Sequence, residues 1–341
     1  MLKLNETPVR TANNFRINNI EIDSQIPENI SEFKNIKISK QYSLINESVS
    51  KSPLIYGVSK DIEQKANSKI KIENNEKTDN VKITYTFDDN NLVLFNQIDI
   101  VANKDINIVI EYNSITNKRC FHSGIIKTFA RNKSKVNVTI INFLNDLSDN
   151  LENVENTIED ESKVYHTIID IGAKNSISNY YSNVAGKQAV NNLKTIYLGQ
   201  GSQLKDLNYI VELTGKQSNV DIDVQGALKD KSIKHFKGTI DFKQGCSKSK
   251  GNENEYCMLL SDEAESTSLP MLLCTEDDVE GNHSTASGKV DESSVFYIMS
   301  RGLSYEEAVK LLVKANFNKI LEGINDKEIE SKIISEIDRR L

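Results

Sequence analysis

The chain has 341 residues, of which 38% are hydrophobic and 27% are charged, and its formal net charge at pH 7 is −7. This size and apolar content allow one to three domains with substantial cores. The acidic balance, with scattered lysines, argues against partners such as nucleic acid or an anionic membrane surface. The 4 cysteines include no Cys-x-x-Cys pair and suggest no disulfide framework, so we expect free thiols in a reducing compartment.

Two features of the sequence predict a soluble cytoplasmic protein. Residues 1–30 lack the basic start and apolar run of a secretory signal. No stretch approaches the roughly 18 consecutive apolar residues that a membrane-spanning helix needs.

Residues 1–78 have a mixed pattern and are predicted to form an N-terminal segment. Pro8, Pro27 and Pro53 interrupt it. Residues 60–72 are a weak candidate for a strand or a helix. Residues 74–80 are polar, and we predict that they form a linker.

Residues 79–290 alternate between apolar and polar side chains with a period of two. Val81, Ile83 and Tyr85 begin the pattern, and similar runs recur as far as residue 224. Such alternation predicts half-buried strands, and turn signals such as Thr214-Gly215 separate them. Residues 145–163 are polar and acidic, and we predict a loop or an insertion there. The strand pattern alone leaves a sandwich, a barrel and a solenoid open.

Residues 291–341 change to a helical period and predict three helices. Asp291 precedes the first helix, and Gly302 is placed to end it. Ser304 and Glu307 have the spacing of a capping box, which predicts the start of the second helix. Gly323 is placed to end that helix, and the third helix is predicted to begin at about residue 325.

Two neighbouring stretches resemble the C-terminal signature of the SufB/SufD family of iron–sulfur cluster assembly proteins. In residues 258–291, the shared features are a Leu-Leu-Ser run, a proline, an Asp-Asp-Val run, a histidine in a small-residue stretch and a Gly-x-x-Asp motif. In residues 296–308, they are a Ser-Arg-Gly run and the capped helix after it. A weaker similarity lies in residues 7–11. The resemblance is specific in these C-terminal stretches, whereas the strand region shares the general pattern of the family but not its particular residues.

This resemblance implies a mainly β fold, a right-handed parallel β-helix with helical segments at its ends. With the division that the periodicity gives, the chain consists of an N-terminal segment (1–78), a β-helix core (79–290) and a C-terminal helical domain (291–341). The resemblance also implies a scaffold in the SUF system that pairs with a SufB-like paralogue and binds a SufC-like ATPase. A homodimer is compatible with the resemblance when the paralogue is absent.

The residues favour the SufD branch of the family over the SufB branch. Members of the SufB branch usually have a glutamate after the matched histidine, whereas this chain has Ser284. They also carry a cysteine at the position that corresponds to Glu255. No phosphate-binding loop is present, since Gly199-Gln-Gly201 is not followed by Lys-Ser/Thr. We therefore expect a subunit that is not an enzyme and that relies on its partner for nucleotide hydrolysis.

The resemblance makes His283 the first candidate for an iron or cluster ligand, because neutral imidazole is a good ligand for iron. Cys257 and Glu255 are the candidates for a second ligand. We expect no tightly bound cofactor in the isolated chain, but transient iron or an iron–sulfur cluster at the interface with SufB. The candidate contacts with SufC are Phe296, Met299, Arg301, Gly302, Leu303, Ser304 and Tyr305.

Three alternatives stay open. The chain could instead act like SufB and hold the nascent cluster itself. It could be a carbohydrate-active β-solenoid enzyme, which would need paired carboxylates or a Ca²⁺ site on one face. Cys120 and His122 have the spacing of a metal half-site on one face of a strand, although a pair of this kind is a weak signal.

Overall fold

The protein is described by a computed structural model that covers residues 2–9, 17–28, 30–39, 62–75, 78–324 and 326–341. The expected break at Pro53 lies outside these ranges, as do Asn325 and parts of the stretches 7–11, 60–72 and 74–80. Within the described N-terminal residues, β1 (Leu2–Leu4) pairs antiparallel with β2 (Ile20–Ile22). Strand β3 (Ile36–Ile38) and the short helix α1 (Ile62–Lys65) follow.

Sixteen further strands form two parallel sheets in which consecutive strands alternate. The even sheet contains β4 (Ser68–Asn74), β6 (Val93–Ala102), β8 (Phe121–Ala130), β10 (Asp149–Ile158), β12 (Asn175–Val184), β14 (Leu204–Leu213), β16 (Ile233–Phe242) and β18 (Glu265–Cys274). The odd sheet contains β5 (Asp79–Phe87), β7 (Ile106–Ser114), β9 (Lys135–Phe143), β11 (Lys163–Asp170), β13 (Val190–Gly199), β15 (Asn219–Leu228), β17 (Ser249–Leu259) and β19 (Val279–Lys289). Strand β3 adds antiparallel to β5 at one edge of the odd sheet.

The chain therefore winds into a parallel β-solenoid of about eight turns, which confirms the predicted fold class. One strand of each turn lies in each sheet, and the inward side chains of both sheets form the main core. Strand β4 joins the even sheet although it precedes residue 79. The division of the chain at residues 78 and 290 stays a proposal.

The loop predicted for residues 145–163 is wrong, because Asp149–Ile158 forms strand β10. This strand pairs in parallel with both β8 and β12. The sequence shows no apolar alternation there because polar side chains such as Asn150 and Glu152 point into the solenoid and are buried. A strand that buries polar groups on its inner face lacks the pattern on which the prediction depended.

One side of the solenoid interior carries a chain of hydrogen-bonded polar groups. The ring of His122 contacts the side-chain oxygens of Asn96 and Asn150 at 2.7 and 2.6 Å. Further along, the buried Lys205 donates to Asp170 at 3.0 Å and to the carbonyl of Gly172 at 2.6 Å. Buried polar groups of this kind cost stability unless they are satisfied, so the interior is specified by hydrogen bonds as well as by apolar packing.

Three helices follow the solenoid, as predicted: α2 (Glu292–Met299), α3 (Tyr305–Leu321) and α4 (Lys327–Arg340). Asp291 caps α2, and Ser304 and Glu307 form the capping box of α3. The apolar faces of α3 and α4 pack on the outer side of the odd sheet, where Phe317 and Ile333 join a cluster with Ile169. No helix in the described part of the chain is both long and apolar enough to cross a membrane.

Candidate site at the open end of the solenoid

The last turn of the solenoid ends in two strands that each have only one neighbour among the described residues. β18 is the terminal strand of the even sheet, and β19 is the terminal strand of the odd sheet. Most side chains of β19 are exposed. Edge strands present unpaired backbone N–H and C=O groups, so this end of the solenoid is open to pairing with another chain.

The register between β17 and β19 brings the predicted site residues to one face. Glu253 lies opposite His283, and Cys257 lies opposite Ser287. Side chains two residues apart point to the same side of a strand, so Glu255 shares this inward face with both pairs. His283 is exposed at the open end, whereas Glu255 and Cys257 are buried one turn below it. Neighbouring strands are about 4.8 Å apart, so these residues occupy adjacent layers.

Glu255 is held by an internal ion pair. Its Oε1 accepts from the Lys234 ammonium at 2.7 Å and from the Tyr197 hydroxyl at 3.0 Å. Its Oε2 accepts from the Ser268 hydroxyl at 2.9 Å. Both side chains of the ion pair are fully buried. With these contacts made, Glu255 anchors the last turns of the solenoid, and it would have to give up donors to bind a metal.

Cys257 is likewise buried in the interior. Burial raises the pKa of its thiol, although the nearby Lys234 ammonium opposes this shift. A metal ligand must be the thiolate, so a raised pKa favours the neutral thiol and weakens the case for Cys257 as a ligand.

Glu253 is a buried acidic residue that the sequence reasoning missed. Its carboxylate lies against Gly238, where an added Cβ would come within 2.3 Å of both oxygens. Neither oxygen has a hydrogen-bond partner in the described part of the chain, and burial raises the pKa of the group to about 8. The signal that could have found it is its spacing, two residues before Glu255 on an alternating strand.

Within the described ranges, no group of three or more His, Cys, Asp and Glu side chains is arranged to hold a metal ion. His283 is thus a single exposed imidazole at an open edge. An iron ion or a cluster bound there as substrate would take its remaining ligands from elsewhere, for example from a second chain paired with β19.

The Cys120 and His122 pair, which the sequence offers only as a weak half-site for a metal, lies inside the core. Cys120 contacts the carbonyl oxygen of Lys118 at 3.5 Å, and both ring nitrogens of His122 are engaged by asparagine side chains. Burial lowers the pKa of His122 to about 4, so its ring is neutral at physiological pH. These contacts favour a structural role for both residues.

The predicted partner-binding residues lie at the junction of α2 and α3, and several of them are exposed apolar side chains. Phe296 is 74% exposed and Tyr297 is 60% exposed. Met299, Leu303 and Tyr305 are also exposed. Tyr297 is not among the residues predicted from the sequence, because its position outside the apolar stripe gave no signal. Exposed apolar side chains grouped in this way are typical of a protein-binding surface.

The polar members of the same set shape this junction. Arg301 lies over the Tyr297 ring at 5.3 Å from its centroid and donates to the Tyr297 hydroxyl at 3.1 Å. Gly302 has a φ of +99°, a conformation that favours glycine and allows the sharp turn between the helices. Ser304 accepts from the backbone N–H of Glu307 at 3.2 Å. Gly302 and the capping contact of Ser304 thus define the turn that joins α2 to α3.

Comparison with known proteins supports the resemblance to the SufB/SufD family that the sequence shows. A family profile described as "SUF system FeS cluster assembly, SufBD core domain" matches residues 85–316. The iron–sulfur cluster assembly protein SufD of Bacillus subtilis is 25% identical over 265 residues, which cover 76% of this chain and 61% of the relative. An iron–sulfur cluster assembly SufBD family protein of Pyrococcus horikoshii is 27% identical over 210 residues, 61% of this chain and 46% of the relative.

A further relative, the iron–sulfur cluster assembly protein SufD of Escherichia coli, is 27% identical over 114 residues, 33% of this chain and 27% of the relative. The chain thus spans less than two thirds of the length of each of these relatives. The profile match nevertheless covers most of the solenoid and extends into α3. This chain belongs to the SufB/SufD family of the SUF iron–sulfur cluster assembly system.

Proposed function

We propose that this protein is a SufD-like, non-catalytic scaffold subunit that works in the cytoplasm. In this role it pairs with a SufB-like subunit through the open end of the solenoid and binds a SufC-like ATPase through α2 and α3. The observation that carries the proposal is the position of His283, exposed on the inward face of strand β19, whose outer edge has no partner strand among the described residues. Iron or a nascent cluster is the substrate of the assembled complex.

The edge strands support pairing with a homologous solenoid. A second solenoid of similar cross-section can continue both sheets at once, because β18 and β19 end in the same turn. Strand β18 also exposes part of an apolar run that includes Leu269 and Leu272. Backbone pairing would provide affinity, and these side chains would provide apolar burial across the junction.

The choice of the SufD branch rests on the ligands that the chain lacks. Ser284 follows His283, and its hydroxyl donates to Asn254 at 2.6 Å. Glu255 is occupied by Lys234 and two hydroxyl donors. An exposed imidazole at the open end, with no second accessible ligand beside it among the described residues, fits a subunit that contributes a single ligand and leaves the others to its partner.

Co-purification tests the partner assignment. Phe296→Asp places a charge on the exposed apolar surface of α2, and we expect it to abolish capture of SufC while leaving the pairing with SufB intact. The matched control is Ile115→Asp, since Ile115 is 75% exposed but lies at the end of β7. Equal capture of SufC by both variants would rule out this surface, and failure of the wild-type chain to bind either partner would rule out the proposed function.

A further inference from the structure

A groove crosses the outer face of the odd sheet, far from the open end of the solenoid. It has a volume of about 580 Å³ and extends over five strands, from β5 to β13. The sheet forms its floor, and Gly323, Ile324 and Asp326, between α3 and α4, form one wall. Five neighbouring strands span about 19 Å, so the groove is long enough for an extended ligand.

A row of asparagines runs along the floor of this groove. Asn80, Asn107 and Asn137 occupy matching positions on β5, β7 and β9, followed by Tyr165 on β11 and Asn192 on β13. The amide of Asn137 donates to Asn107 at 2.6 Å, and that of Asn107 donates to Asn80 at 2.8 Å. Each amide has two N–H donors and two acceptor positions, so an asparagine within this row keeps one N–H donor and one acceptor position for a ligand.

Three lysines border the row and give the groove a positive charge. Lys82 and Lys194 lie along one side of it, and Lys135 lies along the other. Within the described ranges these ammonium groups form no ion pair. The acidic group of the groove, Asp326, accepts from two backbone N–H groups as the cap of α4. A positive groove on a chain of net charge −7 favours an anionic ligand.

The chemistry of the row distinguishes between anions. Phosphate oxygens of a polyphosphate or a nucleic acid only accept hydrogen bonds, so the amide oxygens of the row would face them unfavourably. Sugar hydroxyls both donate and accept hydrogen bonds, and they therefore match an asparagine side chain that has one free donor and one free acceptor position. The spacing of the side chains in the row, about 4.8 Å, is close to the length of one pyranose residue along a chain. The Lys135 ammonium lies 5.1 Å from the centroid of the Tyr165 ring, which holds this flexible charge beside the row.

From this geometry we infer that the groove binds an acidic oligosaccharide, in which hydroxyl groups pair with the asparagine row and carboxylates pair with the lysines. The inference goes beyond the proposed scaffold role and does not depend on it. It concerns binding, since the described groove holds no pair of carboxylates that would cleave a glycosidic bond.

Isothermal titration calorimetry of the full chain with tetragalacturonate tests the inference, with maltotetraose, polyphosphate and a single-stranded oligonucleotide as comparisons. We expect tetragalacturonate to bind, more weakly as salt increases. Lys82→Gln/Lys194→Gln should weaken binding by about tenfold, because it removes two unpaired charges from the groove. The matched control Lys69→Gln changes a partly buried lysine on the even sheet and should bind like the wild type.

An Asn107→Ala variant tests the hydrogen-bonding row separately from charge, and we expect it to weaken binding while its circular dichroism matches that of the wild type. Three outcomes would overturn the inference: no binding of tetragalacturonate at millimolar concentration, equal binding of maltotetraose, or tighter and equally lysine-dependent binding of either phosphate polymer. The double lysine variant should still co-purify with SufB and SufC. A failure of the chain to bind tetragalacturonate would therefore not count against the scaffold role.

Discussion

Replacing Lys234 with methionine tests whether Glu255 is an anchor of the fold or an available ligand. The ammonium of Lys234 and the carboxylate of Glu255 are 2.7 Å apart, and both side chains are fully buried. Lys234→Met removes the charge partner and keeps an unbranched chain of similar length. It leaves the carboxylate with the Tyr197 and Ser268 hydroxyls as donors.

The expected loss of stability depends on the hydrogen bonds that the Glu255 carboxylate keeps after the substitution. Breaking a buried ion pair by removing one partner lowers the free energy of unfolding by about 3–5 kcal/mol, since an uncompensated charge stays in the core. The two hydroxyl donors place the expected loss near the lower end, at about 3 kcal/mol. Lys234→Met/Glu255→Gln removes the stranded charge as well, so the double variant should recover at least about 2 kcal/mol of this loss.

Urea unfolding followed by circular dichroism, with hydrogen exchange of β16–β19, measures these changes. The control is Lys231→Met, since Lys231 pairs with Glu263 on the surface and should contribute less than about 1 kcal/mol. A loss below about 1 kcal/mol for Lys234→Met, or additive effects in the double variant, would contradict the anchoring role of Glu255. Glu255 would then be free to act as a ligand.

Three further predictions concern the solenoid and its helices. Burial raises the pKa of Glu152 from 4.5 to about 8, so the native state holds a proton that the unfolded chain releases, and the free energy of unfolding should fall as pH rises from about 4.5 to 8. Glu152→Gln should reduce this pH dependence when thermal unfolding is measured at several pH values. An unchanged pH dependence would contradict the raised pKa. Gly226→Ala would place a Cβ within 1.8 Å of the Tyr197 ring and should lower the free energy of unfolding by at least about 1–3 kcal/mol. Gly288→Ala is the control, since a Cβ there would meet open space and should not lower the free energy of unfolding. Equal urea midpoints for the two variants would contradict the predicted clash with Tyr197. Ser304→Ala removes the cap of α3 and should cost about 1 kcal/mol in the same assay, so no measurable loss would count against the capping box.

The alternation of apolar residues predicted the strands because most inward positions of the solenoid are apolar. Val81, Ile83 and Tyr85 all lie inside the core. The same rule failed at β10, where Asn150 and Glu152 occupy the inward positions. The parallel connection of the strands came from the family resemblance, because period two is the same in a sandwich, a barrel and a solenoid.

The helical end was the most predictable part of the chain. Capping signals are local in sequence, so Ser304 and Glu307 could be paired by their spacing alone. The candidate site depends on neighbours that are distant in sequence. The ion pair of Glu255 with Lys234 and the position of Glu253 opposite His283 both follow from the register between strands, which one sequence does not reveal.

We propose that His283 provides a ligand for iron or a cluster at a junction between this chain and a SufB-like partner. The most direct test is anaerobic assembly with SufB and SufC, followed by measurement of iron and acid-labile sulfide in the purified complex. His283→Ala is compared with Ser284→Ala, which changes the next residue of the same strand on its opposite face. We expect that both variants assemble, that His283→Ala loses most of the iron and sulfide, and that Ser284→Ala keeps them. An assembled His283→Ala complex with wild-type iron and sulfide content would contradict this role of His283.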